Sequence, residues 1–429
     1  MADREDHAGR TPEERLYRIV EEGLCIGCGL CQSVAGADRL RMVVTPAGDE
    51  RPYAVAPLDH ATVDRIYDVC PGTRIDGLPE AEVAEETTVD PVWGPVLRIA
   101  RAYAADPEVR FKGSTGGVLS ALGLYLIESG RVDFVLHAKA SQSQPSFGER
   151  QVSCSRAEVL AGMGSRYGPT ATLVDLAEVL DRGRPFALIA KPCDVTALRN
   201  AARHDPRIDE LCRYKLALVC GGFMAAPDMR AFLAGLGVDH REVARLRYRG
   251  HGCPGATRIE TRDGRAIELD YLDMWGEDDS AWSLPFRCKV CPDGIGEAAD
   301  LAASDTWPGG APTRAGQAGD PGTNAVLART PAGLELLEAA ARDGALVIER
   351  DVTPRDMDDY QPHQVAKKRA VWARHLGLRT AGKLAPEVRR LRIAELAKEN
   401  GVGENLRQAR GTRRRARDGK TGEPTPRPA

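Results

Sequence analysis

From about residue 95 the chain alternates short, densely apolar runs with longer stretches of helical period. "VLRIARAYA" (96–104) reads as a strand, "ADPEVRFKGSTGG" (105–117) as a loop, and "VLSALGLYLIESG" (118–130) as a helix closing on a glycine. "VDFVLHAKA" (132–140) follows as the next strand. A second section of this kind starts at "PFALIAKPCDVTALRNAARH" and runs through "YKLALVCGGF" to the helix "APDMRAFLAGLG". Strand–helix alternation of this order predicts an α/β fold, with α+β admixture. The first 75 residues carry no such rhythm and read as a small irregular module behind a polar leader (1–20). "PEAEVAEETTVDPVWG" (79–94) reads as an acidic, Pro-bounded linker. Beyond 360 the pattern is helical in "VAKKRAVWARHL" and "APEVRRLRIAELAKEN". The end, "RQARGTRRRARDGKTGEPTPRPA", lacks apolar period and reads as a disordered, solvated basic tail.

Composition narrows the class. With 429 residues, 42% of them hydrophobic, the chain has material for two or three domains. A net charge of −3 gives no global field toward nucleic acid or membrane. The start, "MADREDHAGRTPEERLY", has no apolar h-region, and no run reaches the length of a membrane span. Eleven cysteines without a secretion signal point to metal sites in a reducing compartment, so the expected location is cytoplasmic.

The first of those sites is local. In "LCIGCGLCQSVAGADRL" (24–40), Cys25, Cys28 and Cys31 stand at three-residue intervals, with Gly27 and Gly29 between them. Three thiolates on one tight turn suit a [4Fe–4S] cluster that takes its fourth ligand from elsewhere. Glycines let the backbone pass close to the sulfides. The next Cys-Pro is Cys70-Pro71, which makes Cys70 the expected fourth ligand. Zinc is the alternative, although its structural sites usually pair two knuckles or add histidine.

Two glycine-bearing segments offer backbone N–H groups to an anion. Lys112, Gly113, Ser114, Thr115, Gly116 and Gly117 precede the helix at 118, and Gly164, Ser165, Arg166 and Tyr167 precede the expected helix "ATLVDLAEVL". Neither has Walker or G-x-G-x-x-G spacing, and a capped turn would also explain each. A second cysteine set follows strand ends and loops: Cys193, Cys220, Cys253, and the pair Cys288 and Cys291. Five cysteines for four positions suggest a second [4Fe–4S] cluster with one spare, zinc again being the alternative. Cys154 and Cys212 read as inert thiols.

The motifs "GSTGGVLSALGLYLIESGRVDFV", "GSRYGPT", "KPCDVTALR", "LVCGGF", "RGHGCPG" and "CKVCPDGIGEAADLAASDTWPGG" occur in that order over about residues 93–330. With the N-terminal cysteine loop, they resemble the coenzyme F420 hydrogenase/dehydrogenase beta subunit family. Its relatives include 7-hydroxymethyl chlorophyll a reductase and the ferredoxin-dependent divinyl chlorophyllide 8-vinyl reductase. The resemblance implies FAD and two [4Fe–4S] clusters. It sets Gly113–Gly117 and Ser165–Tyr167 along the flavin, assigns Cys193, Cys220, Cys288 and Cys291 to the second cluster, and ranks Cys253 fifth. Lys191 departs from the small residue many relatives carry there, and a flavin or substrate contact is one reading of it. Lys112, Arg166 and Lys191 are the candidate cations for an anionic reduced flavin. Asp300 and Asp305 match the family motif without an assigned role.

The implied organisation is a leader (1–20), a small ferredoxin-like iron–sulfur module (21–92), two α/β flavin-domain sections (93–180 and 181–360) and a helical then disordered tail (361–429). A flavin that exchanges electron pairs beside clusters that carry single electrons reads as a converter. Its expected partners are a ferredoxin-like carrier and a small planar conjugated substrate, with partner subunits or a second copy of the chain possible and no nucleic acid. The alternatives are a non-catalytic electron-relay subunit and a zinc-stabilised binding module.

Overall fold

The computed structural model describes residues 9–276, 282–314 and 319–429. Its centre is an eight-stranded mixed sheet. The strand order is Leu346–Asp351, Arg98–Ala104, Asn324–Ala328, Leu301–Asp305, Cys212–Leu218, Phe186–Ala190, Phe134–Ala140 and Gly148–Ser153. The four strands from Leu301–Asp305 to Phe134–Ala140 run parallel to one another, and the outer strands are antiparallel to their neighbours. Alternate side chains feed two cores. In Asn324–Ala328, Val326 belongs to the core that holds Leu122, Leu126 and Leu336 on one face, while Leu327 belongs to the core that holds Phe134, Phe186 and Leu198 on the other. A strand buried on both faces has to be apolar throughout, which is why these strands read as continuous runs.

The carboxyl ends of the parallel strands meet at one edge, where Lys191, Cys220 and Asp305 follow or close their strands. Ligands collect at this edge in open α/β sheets. The segment 105–117 is not a plain loop. Asp106 caps a short helix, Pro107–Lys112, with proline in its first turn. The helix expected in "ATLVDLAEVL" is only Leu176–Leu180, so Ser165–Tyr167 stand in irregular backbone well before it.

Two expectations about the ends need correction. Residues 1–8 of the leader lie outside the described residues, but Pro12–Glu21 is a helix that opens on a Thr11/Glu14 capping box. It buries Leu16, Ile19 and Val20 beside the cysteine loop. The tail is not disordered either. Val402–Arg417 forms a helix lying on the helix Pro362–Arg379, in close approach through small residues, with Gly377 against the carbonyl of Ala409. The segment after it returns to the N-terminal module. Glu423 takes both Arg51 Nε (2.6 Å) and Nη2 (2.8 Å), and the Ala429 amide donates to the Val44 carbonyl (2.9 Å). Part of "APEVRRLRIAELAKEN" is a strand, Glu387–Arg389, parallel to Arg74–Asp76. It ends where Arg390 and Arg392 take positive φ. No helix among the described residues is long and apolar enough to cross a membrane.

Candidate functional site

Cys25, Cys28, Cys31 and Cys70 line one small pocket, walled by Leu16, Ile19, Ile66 and Val69. Gly27 and Gly29 adopt φ of +70° and +85° there. A side chain at Gly29 would come within 2.7 Å of the Val174 amide nitrogen, so the loop sits directly on the α/β domain. The Leu173 amide fastens it by donating to the Cys28 carbonyl (2.8 Å). Burial pushes the Cys25 thiol up to about 12. Iron bound to the sulfur would reverse that preference, because a coordinated thiol loses its proton.

A cavity of about 570 Å³ opens at the carboxyl edge of the sheet. Its wall includes Gly113, Ser114, Thr115 and Gly117, then Ser165, Arg166 and Tyr167, then Lys191. The two glycine-bearing segments are joined directly: the amide and hydroxyl of Ser165 both reach Ser114 Oγ, at 2.9 and 2.8 Å. Gly113 and Gly117 pack backbone on backbone, since a Cβ at Gly113 would lie 2.8 Å from the Gly117 Cα. Arg166 is half-buried, donates to the Leu246 carbonyl (3.0 Å) and leaves its buried Nε without a partner. Burial lowers its pKa, and no carboxylate among the described residues offsets its charge. A guanidinium in that position favours an anionic ligand. Lys191 Nζ is held by Asp194 (2.7 Å) and the Thr170 carbonyl (2.9 Å). Burial is the largest influence and opposes its charge, but Asp194 and Cys193 together outweigh it and the net direction is upward.

Two of the expected flavin residues face elsewhere. Lys112 does not line the cavity, and its ammonium pairs with Glu108 at 2.7 Å on the surface. Gly116 is packed against Asn324 behind the wall.

Cys193, Cys220 and Cys288 line the same cavity. Cys291 does not line the cavity, but it is near enough to Cys220 and Cys288 to disfavour the thiolate of each. Burial pushes Cys288 up to about 12. Cys253 is apart from this set, with its Sγ 3.5 Å from Asp320. Cys212 is buried in the core and Cys154 is exposed. Asp300 is structural: it accepts from the Lys215 amide (2.7 Å) and from Arg199 Nη2 (2.8 Å).

Two features escaped the sequence reading. Arg249 is 4% exposed and ties the cavity together, donating to Asp305 (3.0 Å), the Tyr167 hydroxyl (3.1 Å) and the Ser114 carbonyl (2.9 Å). Its guanidinium lies 4.8 Å from the Trp307 ring, and Tyr271, Trp275 and Trp282 continue an aromatic wall. Arg249 opens the segment "RGHGCPG", whose glycines and cysteine are its more conspicuous features. Arg287 is the second: it is 2% exposed, and its Nε and Nη2 both donate to the carbonyl of Pro71, at 2.9 and 2.7 Å. Pro71 follows Cys70, and Arg287 precedes Cys288, so this side chain joins the two cysteine loops.

Family models describe the same ground. The N-terminal model of the coenzyme F420 hydrogenase/dehydrogenase beta subunit matches residues 99–177, and the C-terminal model matches 183–353. Among curated proteins, the chain is 28% identical over 209 residues to F420-dependent formate dehydrogenase 1 subunit beta of Methanococcus maripaludis, covering 47% of this chain and 50% of that one. It is 22% identical over 351 residues to the coenzyme F420-dependent sulfite reductase of Methanocaldococcus jannaschii, covering 76% and 47%. It is 23% identical over 270 residues to coenzyme F420 hydrogenase subunit beta of Methanosarcina barkeri, covering 59% and 82%. The chain thus spans about half the length of the first two relatives. A solved chain of the F420-reducing [NiFe] hydrogenase complex from Methanosarcina barkeri aligns with a TM-score of 0.48 at 20% identity, over 66% of this chain and 96% of that one. With both halves of the family pattern falling on the α/β domain that forms the cavity, the chain belongs to the coenzyme F420 hydrogenase/dehydrogenase beta subunit family.

Proposed function

We propose that this chain is an FAD-dependent, two-cluster iron–sulfur oxidoreductase of the cytoplasm. It passes electrons between a ferredoxin-like one-electron carrier and a planar conjugated two-electron substrate, such as coenzyme F420 or a tetrapyrrole. One observation carries this reading: the wall that presents Ser114, Ser165 and the uncompensated Arg166 also presents Cys193, Cys220 and Cys288. When bound, FAD and the clusters supply the exchange between paired and single electrons.

The chain's own residues bind and orient. The Gly113–Gly117 turn lets the backbone come close to a ligand, and Arg166 holds an anionic part of it. Lys191, fixed by Asp194, keeps a positive charge at the wall, while Tyr167 and Trp275, with ring centroids 4.6 Å apart, exclude water and offer a face to a planar ring. Cys25, Cys28, Cys31 and Cys70 would hold one cluster, and Cys193, Cys220, Cys288 and Cys291 the other. Among the described residues no group of three or more His, Cys, Asp or Glu side chains is arranged to hold a metal ion.

A second reading, an electron-relay subunit of a larger complex, is favoured by the word "subunit" in the names of two relatives. The test is to purify or reconstitute the chain anaerobically and count iron, sulfide and flavin. The bound flavin is then bleached with dithionite, and coenzyme F420 is added. Reoxidation of the flavin by the isolated chain supports the enzyme. Bleaching without reoxidation by any conjugated acceptor supports the relay. A colourless protein with zinc sinks both.

A further inference from the structure

The helix Val402–Arg417 carries six arginines, on a chain whose net charge is −3. Arg410, Arg413, Arg414 and Arg417 are exposed and have no ion pair among the described residues, and Arg407 pairs with Glu404 alone. A helix C-terminus favours cations in its last turn, which accounts for Arg414 and Arg417 but not for Arg407 and Arg410 upstream.

The position of this helix gives the charge a meaning. Its inner side is held by Arg374, which bonds Gln408 Oε1 (2.9 Å) and donates to the carbonyl of Lys289 (2.5 Å), between Cys288 and Cys291. Ala416 belongs to the same apolar cluster as Leu24, Cys25 and Val290. The chain then continues over the N-terminal module as the segment that clamps Arg51. The basic face therefore lies over both cysteine loops.

We propose that this face is the docking surface for an acidic one-electron carrier protein, the entry or exit point for electrons. The inference rests on the electron-converter reading above. Complementary charge steers such encounters and sets their rate more than their strength. Nucleic acid is the other polyanion, but the chain has no aromatic residue after Trp372 to stack a base, and the patch sits over cysteine loops rather than along a groove.

The test compares two reductants on the anaerobic holoprotein: a reduced plant-type [2Fe–2S] ferredoxin, which is acidic, and reduced methyl viologen, which is small and cationic. In the Arg410→Glu/Arg414→Glu double variant, the second-order rate of bleaching by ferredoxin should fall about tenfold or more at low salt. The salt dependence of that rate should flatten, because added salt screens only the charge that is there. The viologen rate, iron content and melting temperature should match those of the wild type. An Arg410→Lys/Arg414→Lys variant, which keeps the charge, should retain the wild-type ferredoxin rate. Equal ferredoxin rates in wild type and the charge-reversed protein overturn the proposal. So does a charge reversal that abolishes binding of a labelled RNA oligonucleotide while leaving ferredoxin untouched. If viologen fails to bleach the wild-type protein, the converter reading itself falls, a different failure from the first.

Discussion

Arg287 has a buried charge and no carboxylate beside it among the described residues. Burial opposes that charge, yet Cys291, Cys193 and Cys288 outweigh burial and hold the net direction upward. Cys70 also feels it. Arg287→Met should leave the Pro71 carbonyl unpaired and cost about 1–3 kcal/mol of stability. It should also move the cluster midpoint potentials to more negative values, because a cation favours the reduced, more anionic form. Arg287→Lys should retain more of the potential than of the stability. An EPR-monitored redox titration with unchanged midpoints in Arg287→Met would exclude the electrostatic role. Glu50 gives a second prediction at this scale. One of its oxygens is buried without a partner, and burial raises its pKa to about 7, against partial relief from Lys191. A folded-state pKa above the unfolded value of about 4.5 means that its contribution is fully present below pH 4.5 and is lost as pH rises through 7. Glu50→Gln should therefore gain on the wild type between pH 5 and pH 8, by on the order of 3 kcal/mol if the whole shift is expressed. Parallel stability–pH curves for the two proteins would sink it. The thiols of the N-terminal loop were legible because C-x₂-C-x₂-C is a local pattern. Arg249 and Arg287 were not, because each earns its role from partners far along the chain.

Elements were legible where the apolar period was strong, as in Val118–Glu128 and Phe186–Ala190. They were missed where small residues or caps carry the packing. The Thr11/Glu14 box could have revealed the first helix, and the polar composition masked it. The C-terminal helix has few large apolar side chains and packs instead through Ala409, Thr412 and Ala416, a pattern that resembles a solvated tail. The segment after it has a measurable function as a clamp. Arg51 is 1% exposed, lies beside Cys25, and bonds Glu423 through two nitrogens. Glu423→Ala removes that partner and leaves Arg51 the Glu50 carbonyl, at 2.8 Å, and Asp49, at 3.5 Å. The loss should be about 1.5–3 kcal/mol in urea unfolding, with faster aerobic bleaching of the N-terminal cluster and no change in the second. If both clusters bleach at the wild-type rate, the C-terminal segment does not shield the cysteine loop.

At the scale of the molecule, three regions remote in sequence converge: the loop at 25–31, the Cys70 turn, and the strand ends that carry Cys193 and Cys220. The strand ends could be read as a meeting point from the α/β pattern alone. The placement of the small module on that edge could not, since it depends on Gly29 against Val174 and on Arg287 against Pro71. Ile26 lines both the cysteine pocket and the large cavity, so the two sites share a wall. On the proposed function, this arrangement would make the N-terminal set the outer station and the Cys193 set the inner one. Cys70→Ser should lose about four irons per chain, the content of one cubane, and should keep flavin at the wild-type ratio. Reduced methyl viologen should still bleach that flavin through the inner set, while a protein carrier should do so far more slowly. Cys288→Ser should show the converse pattern in part: about four irons lost, with flavin reduction slowed for both reductants. Loss of flavin in Cys70→Ser, or unchanged iron in that variant, would mean that the N-terminal cysteines are not a separate station, and the order of sites drawn from the shared wall would be wrong.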